Sequence, residues 1–257
     1  MQAEQKERKV DWKSVTFPSE FFEHVSQDKT SKLHTYRYPA ANNAVPKAAI
    51  IYFCGHGQHV GKFGYVGKHF SEAGYDFVGF DYKGFGKSQG TRGLIESFDT
   101  LLGDALSFVE KAKEFYEKTY AGKNIPLVGY GFSLGAGLQI AVYRHHAANF
   151  AALINVSPGL VAEDPEGTLA KMKPVAEGAP STVIMQFPPP TEEYILHAFH
   201  GDDLEYFEGL QAGSLVSMMT MTISNKDMAS KISVPTHTSI AKNDFFIPEE
   251  PTKAFME

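Results

Sequence analysis

Apolar residues along this chain follow two alternating patterns. Ala48–Phe53, Tyr75–Asp81, Ile125–Tyr130 and Ala151–Val156 are short, nearly continuous apolar runs, as expected of parallel strands buried on both faces. Val234–Ile240 begins a further strand, with Pro235 tolerated near its start. Between the runs the period changes to that of a helix. Phe63–Glu72 suits one helix, and Phe98, Leu101, Leu102, Ala105, Val109, Ala112 and Tyr116 form an apolar stripe on another. Leu134, Leu138, Ala141 and Val142 recur at the same spacing on a third. Residues 14–40 read as an opening β-hairpin, and 41–46 as a turn-like linker. Strands alternating with helices predict an α/β protein. Its sheet is mostly parallel and doubly wound, with right-handed crossovers. Ligands of such sheets bind at the carboxyl ends of the strands.

The interval 158–231 breaks this rhythm. It is rich in Pro, Met and turn residues, including Pro188–Pro190, and too long for a plain connection. It reads as a helical cap over the strand ends, giving a core of 1–157 and 232–257 with 158–231 inserted. Leu215, Met218, Met219 and Ile223 either line an apolar pocket or simply pack the cap onto the core.

The chain has 257 residues, enough for one α/β domain with an insertion. Its net charge of −6 argues against nucleic acid as a partner, because phosphate binding needs clustered Lys and Arg. A single cysteine, Cys54, allows no intrachain disulfide and points to a reducing compartment. The charged Met1–Lys13 stretch has no apolar core of a secretory signal, and no run of eighteen apolar residues occurs. The expected location is the cytoplasm. Neither a cofactor nor a metal is expected. The group nearest to a ligand set, His197, His200, Asp202 and Asp203, reads better as a solvated polar turn. The sequon at Asn155 lies at the end of a buried strand and is discounted.

Gly131-Phe132-Ser133-Leu134-Gly135 carries the candidate chemistry. It is a G-x-S-x-G pentad between a buried strand and an amphipathic helix, the setting of a nucleophile elbow. The turn is sharp, and a side chain at either glycine would crowd the neighbouring strand or helix. The helix N-terminus offers free N–H groups beside the hydroxyl. Gly86-Lys87-Ser88 ends like a phosphate-binding loop, but Asp81 stands where the first glycine is required.

These features resemble the α/β-hydrolase superfamily, and within it the monoacylglycerol lipase and serine aminopeptidase-like group. Gly55-His56-Gly57 follows the first central strand. Asp81-Tyr82-Lys83-Gly84-Phe85-Gly86-Lys87-Ser88-Gln89-Gly90 matches a D-x-x-G-x-G-x-S-x-G loop. The pentad comes next, and the stretch from Ser233 to Asn243-Asp244 resembles the strand leading to the triad acid. The resemblance implies acyl transfer, with Ser133 as nucleophile and Asp244 as the acid that orients an imidazole. It implies the backbone N–H groups of Gln58 and Leu134 as oxyanion donors, with His56 and Gly57 supporting that loop. It implies a small apolar ester or lipid as substrate.

The chain departs from the pattern twice. The family's order is Ser, acid, His, but Phe245–Glu257 contain no histidine, so the expected core lacks its last strand and helix and the triad lacks its base. The oxyanion loop, His56–Phe63, is about two residues shorter than the H-G-x-G-E-H pattern and lacks its second Gly and its Glu. Two readings follow. One is a serine ester hydrolase. The other is a catalytically inactive hydrolase fold serving as a subunit of an assembly, with the Val234–Ile240 edge strand open to a protein partner.

Overall fold

The computed structural model describes residues 15–187, 202–244 and 246–256. Among these, a six-stranded sheet forms the centre. It contains β3 (Thr35–Tyr38), β4 (Ala49–Phe53), β5 (Asp76–Phe80), β6 (Leu127–Phe132), β7 (Phe150–Val156) and β10 (Thr236–Ser239), in the order β10-β7-β6-β4-β5-β3. All neighbours are parallel except β3, which runs antiparallel to β5. Every residue of β4 and β5 is buried, which explains their unbroken apolar runs.

The opening segment is divided where a single hairpin was expected. β1 (His24–Val25) and β2 (Lys32–Leu33) make a small hairpin, but β3 leaves it to join the main sheet. Burial explains the switch: Thr35 and Tyr36 are both enclosed, and the Tyr36 hydroxyl donates to Asp81 at 2.7 Å. Asp76 stitches the same edge. It accepts the Ala40 N–H at 2.8 Å, Arg37 Nε at 2.9 Å and the Tyr116 hydroxyl at 2.9 Å.

The helices α1 (Gly64–Glu72), α2 (Phe98–Thr119) and α3 (Leu134–His146) connect the strands. All seven residues of the apolar stripe on α2 are buried, and burying each large one is worth about 1.5–3 kcal/mol. Ser97 caps α2 by accepting the Thr100 N–H at 3.1 Å. α3 is buried from Leu134 to Tyr143, because it lies between the sheet and the segment 158–231. That segment carries α4 (Pro165–Gly178), α5 (Ala212–Asn225) and the short pair β8 (Val183–Met185) and β9 (Leu210–Gln211). α4 packs on α5, and α5 packs on α3. The Pro188–Pro190 run, His197 and His200 lie outside the described residues. Past β10 the chain ends in α6 (Glu249–Met256).

One buried carboxyl gives a prediction. Asp104, on α2, accepts the Gln27 N–H at 2.5 Å through Oδ1, while Oδ2 is buried with no partner among the described residues. Burial pushes its pKa up to about 7, with the Gln27 N–H opposing. Because the folded value is raised, the protonated form stabilises the fold, and that stabilisation is lost as pH rises through 7. Asp104→Asn should therefore gain about 2–3 kcal/mol on wild type between pH 5 and pH 8. Urea unfolding of both proteins at the two pH values checks this, and a difference that does not change with pH would refute it.

Candidate active site

Ser133 sits between β6 and α3 at φ 51°, ψ −120°. A non-glycine residue there is strained by roughly 1–3 kcal/mol, so the surrounding contacts must impose it. They are on hand. The Ser133 N–H donates to Val156 O at 3.0 Å, and its carbonyl accepts the Ala136 and Gly159 N–H groups, both at 3.0 Å. β6 runs further into the pentad than its apolar run indicated, since Gly131 and Phe132 still pair with Asn155 and Val156 of β7. The two glycines are there for close approach. A Cβ on Gly131 would lie 2.4 Å from Ala136 Cα, and one on Gly135 would lie 2.0 Å from Phe53 O.

The elbow opens into a cavity of about 1080 Å³, at the upper end of the range for small-molecule pockets. Its walls are mainly apolar and include Phe132, Phe207, Leu215, Met218 and Met219. Ile223, expected beside them, is not among the lining residues. Ser133, Leu134, Gln58, His56 and Asp244 all line this one cavity. Leu134 opens α3, where the first N–H groups have no intrahelical acceptor. The Gln58 N–H makes only a long contact, 3.4 Å, to Gly55 O. Asp244 follows β10, and its Oδ1 accepts the Phe246 and Ile247 N–H groups at 2.9 and 3.0 Å. Gly57 stands behind the loop, with its carbonyl accepting the Tyr206 N–H at 2.7 Å.

His56 is the histidine that lines the cavity among the described residues. Its ring packs edge-on to Phe85 and Phe187, and burial pushes its pKa down to about 4, with the Gly93 backbone opposing. The imidazole is therefore neutral at pH 7. The other candidates lie elsewhere. His237 is exposed beside Ser239, His145 and His146 end α3, His24 bonds the Asp104 carbonyl, and His34 pairs with Glu20.

Two residues were not anticipated. Ser157, at φ 41°, lines the cavity and donates its N–H to Ser239 O at 2.8 Å, tying the elbow side to the strand before Asp244. Asp202 does not belong to a solvated turn. It faces inward, with Oδ2 2.8 Å from His59 Nε2. No cluster able to hold a metal occurs among the described residues. No described helix is long and apolar enough to cross a membrane.

A parallel sheet flanked by helices, with a serine on a strained strand-to-helix turn over an apolar cavity, is the architecture of the α/β-hydrolases. Residues 44–257 match the serine aminopeptidase S33 family, and the chain belongs to it. It is 25% identical over 201 residues to the monoglyceride lipase homolog of Monkeypox virus, covering 74% of this chain and 68% of that one. It is 28% identical over 129 residues to the monoglyceride lipase of Homo sapiens, covering 49% of this chain and only 40% of that relative's length. Among solved structures, a soluble variant of the monoglyceride lipase of Saccharomyces cerevisiae superposes with a TM-score of 0.75 at 16% identity, over 94% of this chain and 81% of that one. The monoacylglycerol lipase of Paleococcus ferrophilus gives 0.70 at 19% identity, over 87% and 82%. The relatives place the chain in a family of monoglyceride lipase- and esterase-like hydrolases.

Proposed function

We propose that this protein is a serine ester hydrolase for monoacylglycerol-type lipids or similar apolar esters. In this reading residues 158–231 form a cap over a core of 1–157 and 232–257. The Ser133 hydroxyl attacks the ester carbonyl carbon while an imidazole, oriented by Asp244, takes its proton. The Leu134 and Gln58 N–H groups receive the charge that develops on the carbonyl oxygen. The alcohol leaves with the proton, and water then releases the acyl group from Ser133. What supports the reading is the strained φ of Ser133 over an apolar cavity that Asp244 also lines.

A second reading is favoured by one observation. The oxyanion loop, His56–Phe63, departs from the family's H-G-x-G-E-H pattern. The fold would then bind an apolar ligand without turning it over. Such a subunit would offer the Thr236–Ser239 edge strand to a partner strand.

One experiment separates the two. The full chain is incubated with a monoacylglycerol emulsion and with a fluorophosphonate, and fatty-acid release and the site of the adduct are measured. The hydrolase reading expects release together with an adduct on Ser133. A folded chain whose melting point rises with monoacylglycerol, but which gives neither, supports the binding reading.

A further inference from the structure

The oxyanion loop is held from the inserted segment by two matched turns. Lys62 N–H donates to His59 O at 3.4 Å, closing one tight turn, and Glu205 N–H donates to Asp202 O at 3.1 Å, closing another. The turns face each other in register. His59 Nε2 lies 2.8 Å from Asp202 Oδ2, and three residues on in each turn Lys62 Nζ donates to Glu205 Oε1 at 2.6 Å. All four side chains are at most 10% exposed. The Tyr206 N–H continues the contact by donating to Gly57 O, and Arg92 holds the same segment through the Asp203 and Glu205 carbonyls at 3.0 and 3.3 Å. From below, Asp81 accepts the Val60 N–H at 2.8 Å.

Buried ion pairs are poor sources of stability, because taking the charges out of water costs about as much as their attraction returns. Their best-attested use is registration. Burial pushes Glu205 up to about 7 despite Lys62, the mark of a carboxyl held where solvent would not hold it. Asp202 is also desolvated, yet its hydrogen bonds with His59 and the Leu204 N–H hold its carboxyl below the usual range. Within the loop itself the Gln58 carbonyl accepts the Cys54 thiol at 3.8 Å. The Gln58 N–H makes only the 3.4 Å contact, and its side-chain Oε1 accepts the Gly55 N–H at 3.2 Å. The contacts of His59 and Lys62 with Asp202 and Glu205 add a further anchor from outside the loop.

We propose that Asp202 and Glu205 are positioning residues for the oxyanion donor: by gripping His59 and Lys62 they fix where the Gln58 N–H points, so that the inserted segment and the oxyanion hole form one unit. The proposal rests on the reading of Gln58 as an oxyanion donor. Neither carboxylate touches substrate, and the apolar wall of the cavity is built by other residues.

The test uses the full chain with Glu205→Gln, and Asp202→Asn as the milder change should the first fail to fold. Amide hydrogen exchange across 55–63 is measured together with kcat and KM for a monoacylglycerol and the second-order rate of fluorophosphonate labelling. Exchange in the loop is expected to rise about tenfold or more in both variants. The labelling rate and kcat are expected to fall by about 10- to 100-fold with KM unchanged, a part of the 10²–10³ that one oxyanion donor is worth. Unchanged exchange overturns the grip. Raised exchange with undiminished labelling overturns the link to the oxyanion hole. A wild-type chain that is never labelled overturns the hydrolase reading and with it that link, whereas the exchange measurement, which needs no turnover, still decides the grip.

Discussion

Ser133→Ala is expected to abolish fluorophosphonate labelling and to lower ester hydrolysis by about 10³- to 10⁶-fold, the range seen when an acyl-transfer nucleophile is removed. The reason is positional: among the described residues the cavity's other hydroxyls are those of Ser157 and Thr222, and neither stands on the strand-to-helix elbow. Cys54, at the end of β4, is fully buried, and burial pushes its thiol up, away from the thiolate that would react. The alanine variant should fold as wild type does. It keeps the Cβ and therefore the same strain at φ 51°, and the contacts that fix the elbow are backbone bonds from Val156, Ala136 and Gly159. It should also still bind monoacylglycerol, seen as a ligand-dependent rise in melting point. Ser133→Gly separates strain from chemistry. It too loses the label, but it should be more stable than the alanine variant by about 1 kcal/mol, since glycine accepts positive φ without cost. A label that persists in Ser133→Ala would show that the nucleophile lies elsewhere.

The elements that place Ser133 were legible because their signals are local. Continuous apolar runs mark β4, β5, β6 and β7, and a three-to-four residue stripe marks α2. The pentad carries its own conformational demand, so Gly131 and Gly135 point to the turn without tertiary knowledge. What could not be read depends on partners distant in sequence. β3 looks like half of a hairpin until Tyr36 reaches Asp81, 45 positions away. Asp202 looks like a solvated turn until it meets His59, 143 positions away. A faint signal existed there. His59 and Lys62 share the three-residue spacing of Asp202 and Glu205, with opposite charge preference. Such spacing is common in exposed turns, and only burial distinguishes this pairing. Ser157 left no mark at all, because a positive φ at a serine is imposed by the surrounding bonds rather than by its side chain.

Gly135→Ala should cost about 3 kcal/mol or more, enough to leave little folded protein if the chain is only marginally stable. A Cβ there would stand 2.0 Å from Phe53 O, 2.4 Å from Phe53 C and 2.5 Å from Cys54 O. All three are backbone atoms at the end of β4, in the middle of the sheet, so no rotamer change makes room. Relief requires α3 to move away from β4. That movement would carry with it the Leu134 N–H at the start of α3 and the Ser133 turn beside it, so any folded fraction should also lose fluorophosphonate labelling. Gly178→Ala is the matched control. Gly178 ends α4 with nothing within 4 Å of its Cβ position, and alanine there should add about 0.5–1 kcal/mol through better helix propensity. Thermal and urea unfolding of the two variants should therefore diverge in sign. If Gly135→Ala unfolds within 1 kcal/mol of wild type, the helix is not seated on β4 as closely as the geometry requires. Close seating would then no longer explain why the strained turn at Ser133 persists.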